Sequence, residues 1–355
     1  MDSITQAALG AAIGGTVLGR RLGRKAVLLG AALGTLPDLD VVIDYGDAVA
    51  NVTEHRGFSH SLFVLAGLAT ALALLSARLA PARDISLRRW GLFFGLILLT
   101  HPLLDALTTY GTQLWWPLEV RPAAWPVVFI IDPLYSLPLL AGVGVALATG
   151  RAQRAPRWGL ALSCAYLVFA VGAKQLVEAR IAPVLAEQGL QQAPRLVQPT
   201  PFNTLLWRVT VADGEHHHEA LVGVFDGDRS PALETYARGA DLEATALDSA
   251  RGRRLDWFAG PFLRYETRQR DGVETLVATD LRLGFPGFHP FAFTLATRDD
   301  GDWQPVEVSE QLPSPSRGNR DALSRLGSRI LTPEPGLCTS DFVSRQWLVG
   351  TPGQC

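Results

Sequence analysis

The chain has 355 residues, 48% apolar and 19% charged, with a formal net charge of −2. That length exceeds one small domain, the near-neutral charge without a basic block argues against nucleic acid as a partner, and three cysteines are too few for a disulfide framework. The mean hydropathy is positive, at +0.17, which fits a membrane protein diluted by a soluble part.

The apolar runs are confined to the first half. Ile4 to Gly19 and Ala26 to Ile43 are short and rich in Gly and Ala, a composition suited to close helix packing in a membrane bundle. His60 to Ala80, Trp90 to Tyr110, Pro126 to Gly150 and Trp158 to Val177 follow. Each is long enough for the roughly 20 residues that a bilayer requires. The N-terminus does not resemble a cleaved signal peptide, because Asp2 replaces a basic n-region and Thr5 and Gln6 interrupt the apolar run. The expected fold is therefore an α-helical integral membrane bundle of about six spans, the first two short, over residues 1–190. A soluble α+β domain over 191–355 completes it.

Positive charge concentrates in "RRLGRK" (20–25), in Arg78 to Arg89 and in "RAQRAPR" (151–157). Six spans put all three on one side, which should be cytoplasmic. The opposite side of the membrane then receives 44–59, 111–125 and the C-terminal domain.

In the second half, "LLWRVTVADGEHHHEALVGVFD" and "FLRYETRQRDGVETLVATDLRLG" read as hairpins about Asp-Gly turns. Residues 241–257 between them read as helical. His216, His217 and His218 are expected on an exposed hairpin face, and His289 is expected to be exposed as well. Cys164 lies in an apolar run as inert packing, while Cys338 and Cys355 are able to pair if the tail faces an oxidising compartment.

Three polar clusters interrupt the apolar half: "GTLPDLD" with Asp38 and Asp40, "EHRGFSHS" with His55 and His60, and "THPLLDALTTYGTQLWWP" with His101 and Asp105. The last pair is spaced i, i+4, so a helix presents both side chains on one face. Imidazole and carboxylate are ligands for zinc, manganese or iron. Each cluster alone has a structural reading: a loop motif, a solvated histidine, a buried hydrogen-bonded pair. Together they point to a divalent-metal site, because ionisable groups near a membrane core are costly and usually functional. Asp132 is a candidate to orient a ligand histidine, or else a helix cap beside Pro133. Ser59 and Ser61 flank His60 as hydrogen-bond partners, and Asp2 and Gln6 are placed to approach the same face.

With these motifs in this order, the chain resembles the bacterial membrane-bound, metal-dependent hydrolases, among them the LexA-regulated inner-membrane hydrolases. The resemblance covers residues 1–150, and the remainder looks like a longer subfamily with an added soluble domain. It implies a divalent metal, zinc first, held by Asp38, Asp40, His55, His60, His101 and Asp105. A distant likeness to zinc-dependent phospholipases C implies a phosphoester or ester in a membrane lipid or lipid-linked substrate. Shorter members often carry a histidine where this chain has Gln6; an amide is a poorer ligand, which argues against a full two-metal site.

The expected chemistry is hydrolysis by water that the metal acidifies, with Asp38 or Asp40 accepting its proton and Arg56 holding an anionic headgroup. Three other readings compete. A lipid-linked glycosyltransferase using "DLD" leaves the histidines unexplained. A metal transporter or metal-binding membrane protein requires polar groups along a path to both faces, whereas these crowd one side. A plain membrane anchor explains none of the clusters.

Overall fold

A computed structural model describes residues 1–79, 84–284, 288–299, 301–313, 320–334, 336–342, 347–351 and 355. The chain forms two compact units. One comprises Met1–Ile43, His55–Val171 and Pro201–Asn203; the other comprises Asp44–Glu54, Gly172–Thr200 and Thr204–Cys355. The division falls inside a helix at 171/172, and it assigns 44–54, which the sequence places in the membrane half, to the second unit.

The first unit is helical. Its helices are α1 (Ser3–Leu22), α2 (Arg24–Thr35), α4 (Leu62–Leu79), α5 (Leu87–Ala106), α6 (Pro133–Thr149) and the first part of α7 (Arg154–Glu187). Asp2 caps α1 by accepting from Thr5 N at 3.0 Å, and α1 stops at Gly23, whose φ of 57° suits glycine. Helices α1 and α2 cross at Gly10, Gly14, Gly30 and Gly34. A Cβ on Gly10 would lie 2.2 Å from the Gly30 carbonyl oxygen, and one on Gly34 would lie 2.5 Å from that of Gln6. Only backbones without side chains approach this closely. Leu18, Phe93, Ile97, Leu98 and Leu139 fill the centre of the unit.

Among the described residues, two helices are long and apolar enough to cross a membrane, Leu62–Leu79 and Arg154–Glu187, with Pro133–Thr149 a shorter apolar one. This corrects the count of six. The run read as Ala26 to Ile43 stops at Thr35, and Pro37–Val42 forms a 3₁₀ turn instead. The run from Pro126 becomes helical only at Pro133. Helix α5 carries Arg88, Arg89, His101 and Asp105 within twenty residues. Cys164, expected in packing, is exposed on α7.

The second unit contains α3 (Ala48–Glu54), the end of α7 and two antiparallel sheets. In the first, β1 (Arg195–Pro199), β2 (Leu206–Ala212), β3 (His216–Gly223) and β4 (Glu234–Ala237) follow in order. In the second, β5 (Leu263–Arg270), β6 (Val273–Asp280), β7 (Ala292–Arg298) and β8 (Gln304–Pro305) do the same. Both Asp-Gly turns fall where the sequence puts them, and 241–257 holds α8 (Glu243–Asp248) and α9 (Ala250–Ala259). Alternation explains the packing. Trp207, Val209 and Val211 of β2 join Val177, Ile181 and Leu185 of α7 in one core, which turns Arg208 and Thr210 to the opposite face. There Arg208 Nε donates to Glu219 Oε2 at 2.7 Å and Arg208 Nη1 to the Leu281 carbonyl at 3.0 Å.

Sheet two packs Leu263, Tyr265 and Leu276 with Leu255 and Ala259 of α9 and Val49 of α3. Arg251 pairs with Asp47, and Arg254 Nη2 donates to Glu54 Oε1 at 2.6 Å. Helix α10 (Arg320–Leu331) seats Leu326 on Leu206 and Leu221. Cys338 and Cys355 form a disulfide.

Two expectations for this unit are overturned. His217 and His218 are 2% and 6% exposed, and His289 is 5% exposed. His217 stacks on Tyr236, with ring centroids 5.3 Å apart, and His289 Nδ1 faces the Leu283 carbonyl at 3.2 Å. His217 lies on the face of the sheet opposite the α7 core, which is itself covered, whereas His218 pairs with Val211 on the α7 side and is held by Thr235 and Asp213.

Candidate metal centre

Four of the singled-out side chains converge within the first unit. Asp38 stands on the 3₁₀ turn after α2, His60 ends the 3₁₀ turn Phe58–His60, and His101 and Asp105 share one face of α5. Each offers one ligand atom, and these atoms lie within 4.8 Å of one another. His60 Nε2 and His101 Nε2 are 3.2 Å apart. Asp105 Oδ2 is 3.1 Å from the first and 3.4 Å from the second. Asp38 Oδ1 is 3.6 and 3.3 Å from the same two nitrogens.

Proton accounting shows what this centre requires. The Gly34 carbonyl can only accept, so His101 Nδ1, 2.7 Å away, donates to it. Ser59 Oγ donates to Asp40 Oδ2 at 2.6 Å and therefore accepts from His60 Nδ1 at 2.9 Å. In the neutral rings both Nε2 atoms are thus bare lone pairs, and they face each other beside two carboxylate oxygens. Asp105 Oδ2 is buried with no hydrogen-bond donor. Four converging acceptors need positive charge between them. Backbone and hydroxyl partners that fix the ring tautomers in this way are what metal-binding histidines normally have. The donor set, two imidazoles and two carboxylates, fits zinc, manganese or iron.

The glycine crossing described above sets the Gly34 carbonyl in place, which links a helix-packing motif to the orientation of the His101 ring. Gln6, also on α1, donates from Nε2 to Asp105 Oδ1 and to the His101 carbonyl, both at 3.1 Å. It supports the α5 residues and stands outside the ligand group. The chain's amino group also contacts Asp105 Oδ1.

Asp40 and His55 are not in the four-residue group. His55 Nδ1 lies 3.0 Å from Asp40 Oδ1, while Asp40 Oδ2 accepts from Arg56 N at 2.9 Å and from Ser59. Burial alone would raise the Asp40 carboxyl, but His55 and the Ser59 hydroxyl outweigh it and hold it below the usual carboxylate range. Arg56 has a left-handed φ of 61°, pinned by its own N–H on Asp40 and by Gln113 N donating to its carbonyl at 3.0 Å. Its guanidinium is 4% exposed, lies over Tyr110 at 5.0 Å and approaches Asp105 Oδ1 at 3.6 Å. Its Nε and Nη1 make no hydrogen bond among the described residues.

The remaining candidates lie elsewhere. Asp132 caps α6, accepting from Leu134 N and Tyr135 N and from the Tyr166 hydroxyl at 2.9 Å. Ser59 partners His60 as expected, whereas Ser61 donates to the Trp116 carbonyl at 2.7 Å. Asp2 serves its own helix. The Gly34 carbonyl carries no side-chain signal in the sequence, and Tyr110 has no feature there that sets it apart from the other aromatic residues of its motif.

The comparisons with known proteins bear on this half of the chain. Residues 1–177 match the YdjM inner membrane protein family. The inner membrane protein YbcI of Escherichia coli (strain K12) is 38% identical over 114 residues, which is 32% of this chain and 64% of that protein, just under two-thirds of its length. The uncharacterized protein YfhP of Bacillus subtilis (strain 168) is 24% identical over 276 residues, covering 75% of this chain and 80% of that protein. No solved structure matches. The YdjM match and the two apolar helices together support an inner-membrane protein. None of these names specifies a reaction.

Proposed function

We propose that this protein is a multi-pass inner-membrane hydrolase that uses a divalent metal, zinc first, to cleave a phosphoester or ester in a membrane lipid or lipid-linked substrate. One observation carries the reading: two bare imidazole nitrogens and two carboxylate oxygens converge in the YdjM-like half, three of the four residues being buried. Asp38, His60, His101 and Asp105 would hold the ion. When bound, it supplies Lewis-acid polarisation and a more acidic water.

The chain's own residues supply the rest. Ser59 and the Gly34 carbonyl fix the two rings. Arg56 keeps two buried, unpaired donors beside the centre, and its planar fork suits a phosphate or carboxylate oxygen. Trp115 and Trp116, 43% and 37% exposed, follow the centre in sequence and suit a lipid–water interface. Placing the centre and the C-terminal unit on the outer face agrees with the arginine-rich loops on the other side and with the Cys338–Cys355 disulfide.

The test is elemental analysis of detergent-purified protein beside a His101→Ala, Asp105→Ala variant. About one equivalent of metal is expected in the parent and a loss of most of it in the variant, together with metal-dependent release of product from a panel of phospholipids and lipid phosphates. A parent that binds no zinc, manganese or iron after reconstitution overturns the proposal.

A further inference from the structure

Two groups beside the centre are left over once the four ligands are assigned: Asp40 and His55. Their geometry is that of an oriented base. The Asp40 carboxylate is 1% exposed, with one oxygen accepting from Arg56 N–H and the Ser59 hydroxyl and the other facing His55 Nδ1 at 3.0 Å. His55 is the opposite case. Its side chain is 23% exposed, and its Nε2 makes no hydrogen bond among the described residues. Its ring stands edge-on to those of His60 and Tyr110, with centroids 6.2 and 5.6 Å away. A carboxylate holding one ring nitrogen directs the lone pair of the other outward, the arrangement that serves general-base catalysis. Glu54, the neighbouring carboxylate, is tied to Arg254.

Resting on the hydrolase reading above, we propose that His55 is not a metal ligand but the base that deprotonates the attacking water, with Asp40 as its positioning residue. In the step, one O–H bond of water breaks and its proton passes to His55 Nε2. The water oxygen forms the new bond to phosphorus or carbonyl carbon as the bond to the leaving oxygen breaks. The leaving oxygen takes a proton from solvent, and the imidazolium returns its own to solvent.

The experiment combines metal content with chemical rescue. His55→Ala and His55→Gln are purified beside His60→Ala and assayed on phosphatidic acid and phosphatidylglycerol in mixed micelles, with and without added imidazole. Both His55 variants are expected to keep the parent's metal equivalents, which also reports that they fold, while His60→Ala loses them. The rate should fall by about 100-fold or more, the scale of a lost general base. Free imidazole should restore at least tenfold of it in His55→Ala but not in the bulkier His55→Gln. Loss of metal from both His55 variants overturns this role while leaving the hydrolase reading intact. Retained metal with no imidazole rescue overturns it as well. A metal-loaded parent inactive on these lipids and on the wider panel removes the hydrolase reading and this role together.

Discussion

His289 and His217 lie on covered faces among cations, and their charge state follows from that. Burial, then the nearby Arg208, pushes the His289 imidazole down to about 3 from its ordinary 6.5. Burial, then His289 and Arg208, also pushes His217 well below that value. Folding thus lowers both, so below pH 6.5 the unfolded chain binds more protons and stability declines as pH falls, for His289 by roughly 1.4 kcal/mol per pH unit down to about pH 3. Above pH 6.5 the two contribute no slope. Urea midpoints of the C-terminal unit should therefore drop steadily below pH 6, and a His217→Gln, His289→Gln variant should show a shallower drop; parallel slopes in the two proteins would refute the account. These residues also mark the limit of reading burial from sequence. "HHHE" alternates like an exposed hairpin, and nothing local reveals that the side chains opposite the α7 core are roofed over. The i, i+4 pair His101 and Asp105 was legible because one helix contains the whole relation. The separation of Asp38 from Asp40, two residues apart, was not, since it depends on where the 3₁₀ turn aims each carboxylate.

At the scale of elements, the α1–α2 crossing does two things. It brings two backbones into contact, and it presents the Gly34 carbonyl to His101. A Gly34→Val substitution forces the Gln6 carbonyl and the Gly10 Cα apart, at an expected cost of about 1–3 kcal/mol for overpacking. It should also weaken metal retention, because His101 loses the acceptor that fixes its tautomer. Gly95→Ala on α5 meets no atom within 4 Å and serves as the neutral control. Equal metal content in the Gly34 variant and the control would show that the carbonyl is dispensable. The Gly and Ala content pointed to close packing, but the packing partner and the contact with His101 required the crossing itself. Helix ends were read less well than helix existence. Pro37 closed a run that looked continuous in hydropathy, and α7 extends to Glu187 through Pro183, beyond the apolar stretch that announced it.

At the scale of the molecule, the Cys338–Cys355 bridge gives a direct test of sidedness. In unlysed spheroplasts, a membrane-impermeant maleimide should label the C-terminal cysteines only after an impermeant reductant is added; labelling that needs lysis would place the domain inside. The two-part layout was legible from composition, since hydropathy and charge change character near residue 190. The return of 44–54 to the second unit was not. Eleven residues between two groups of site side chains leave one unit and are built into the other, where Val49 is 1% exposed and Arg251 and Arg254 hold Asp47 and Glu54. The two halves are consequently not modules that recombination could separate at a single cut. A chain ending after the last apolar helix would strand Val49 in solvent with both acids unpaired. A shorter protein built on the same N-terminal plan must write this stretch differently, so inheritance of the N-terminal half and of its C-terminal companion is tied together at a point far from the seam that hydropathy displays.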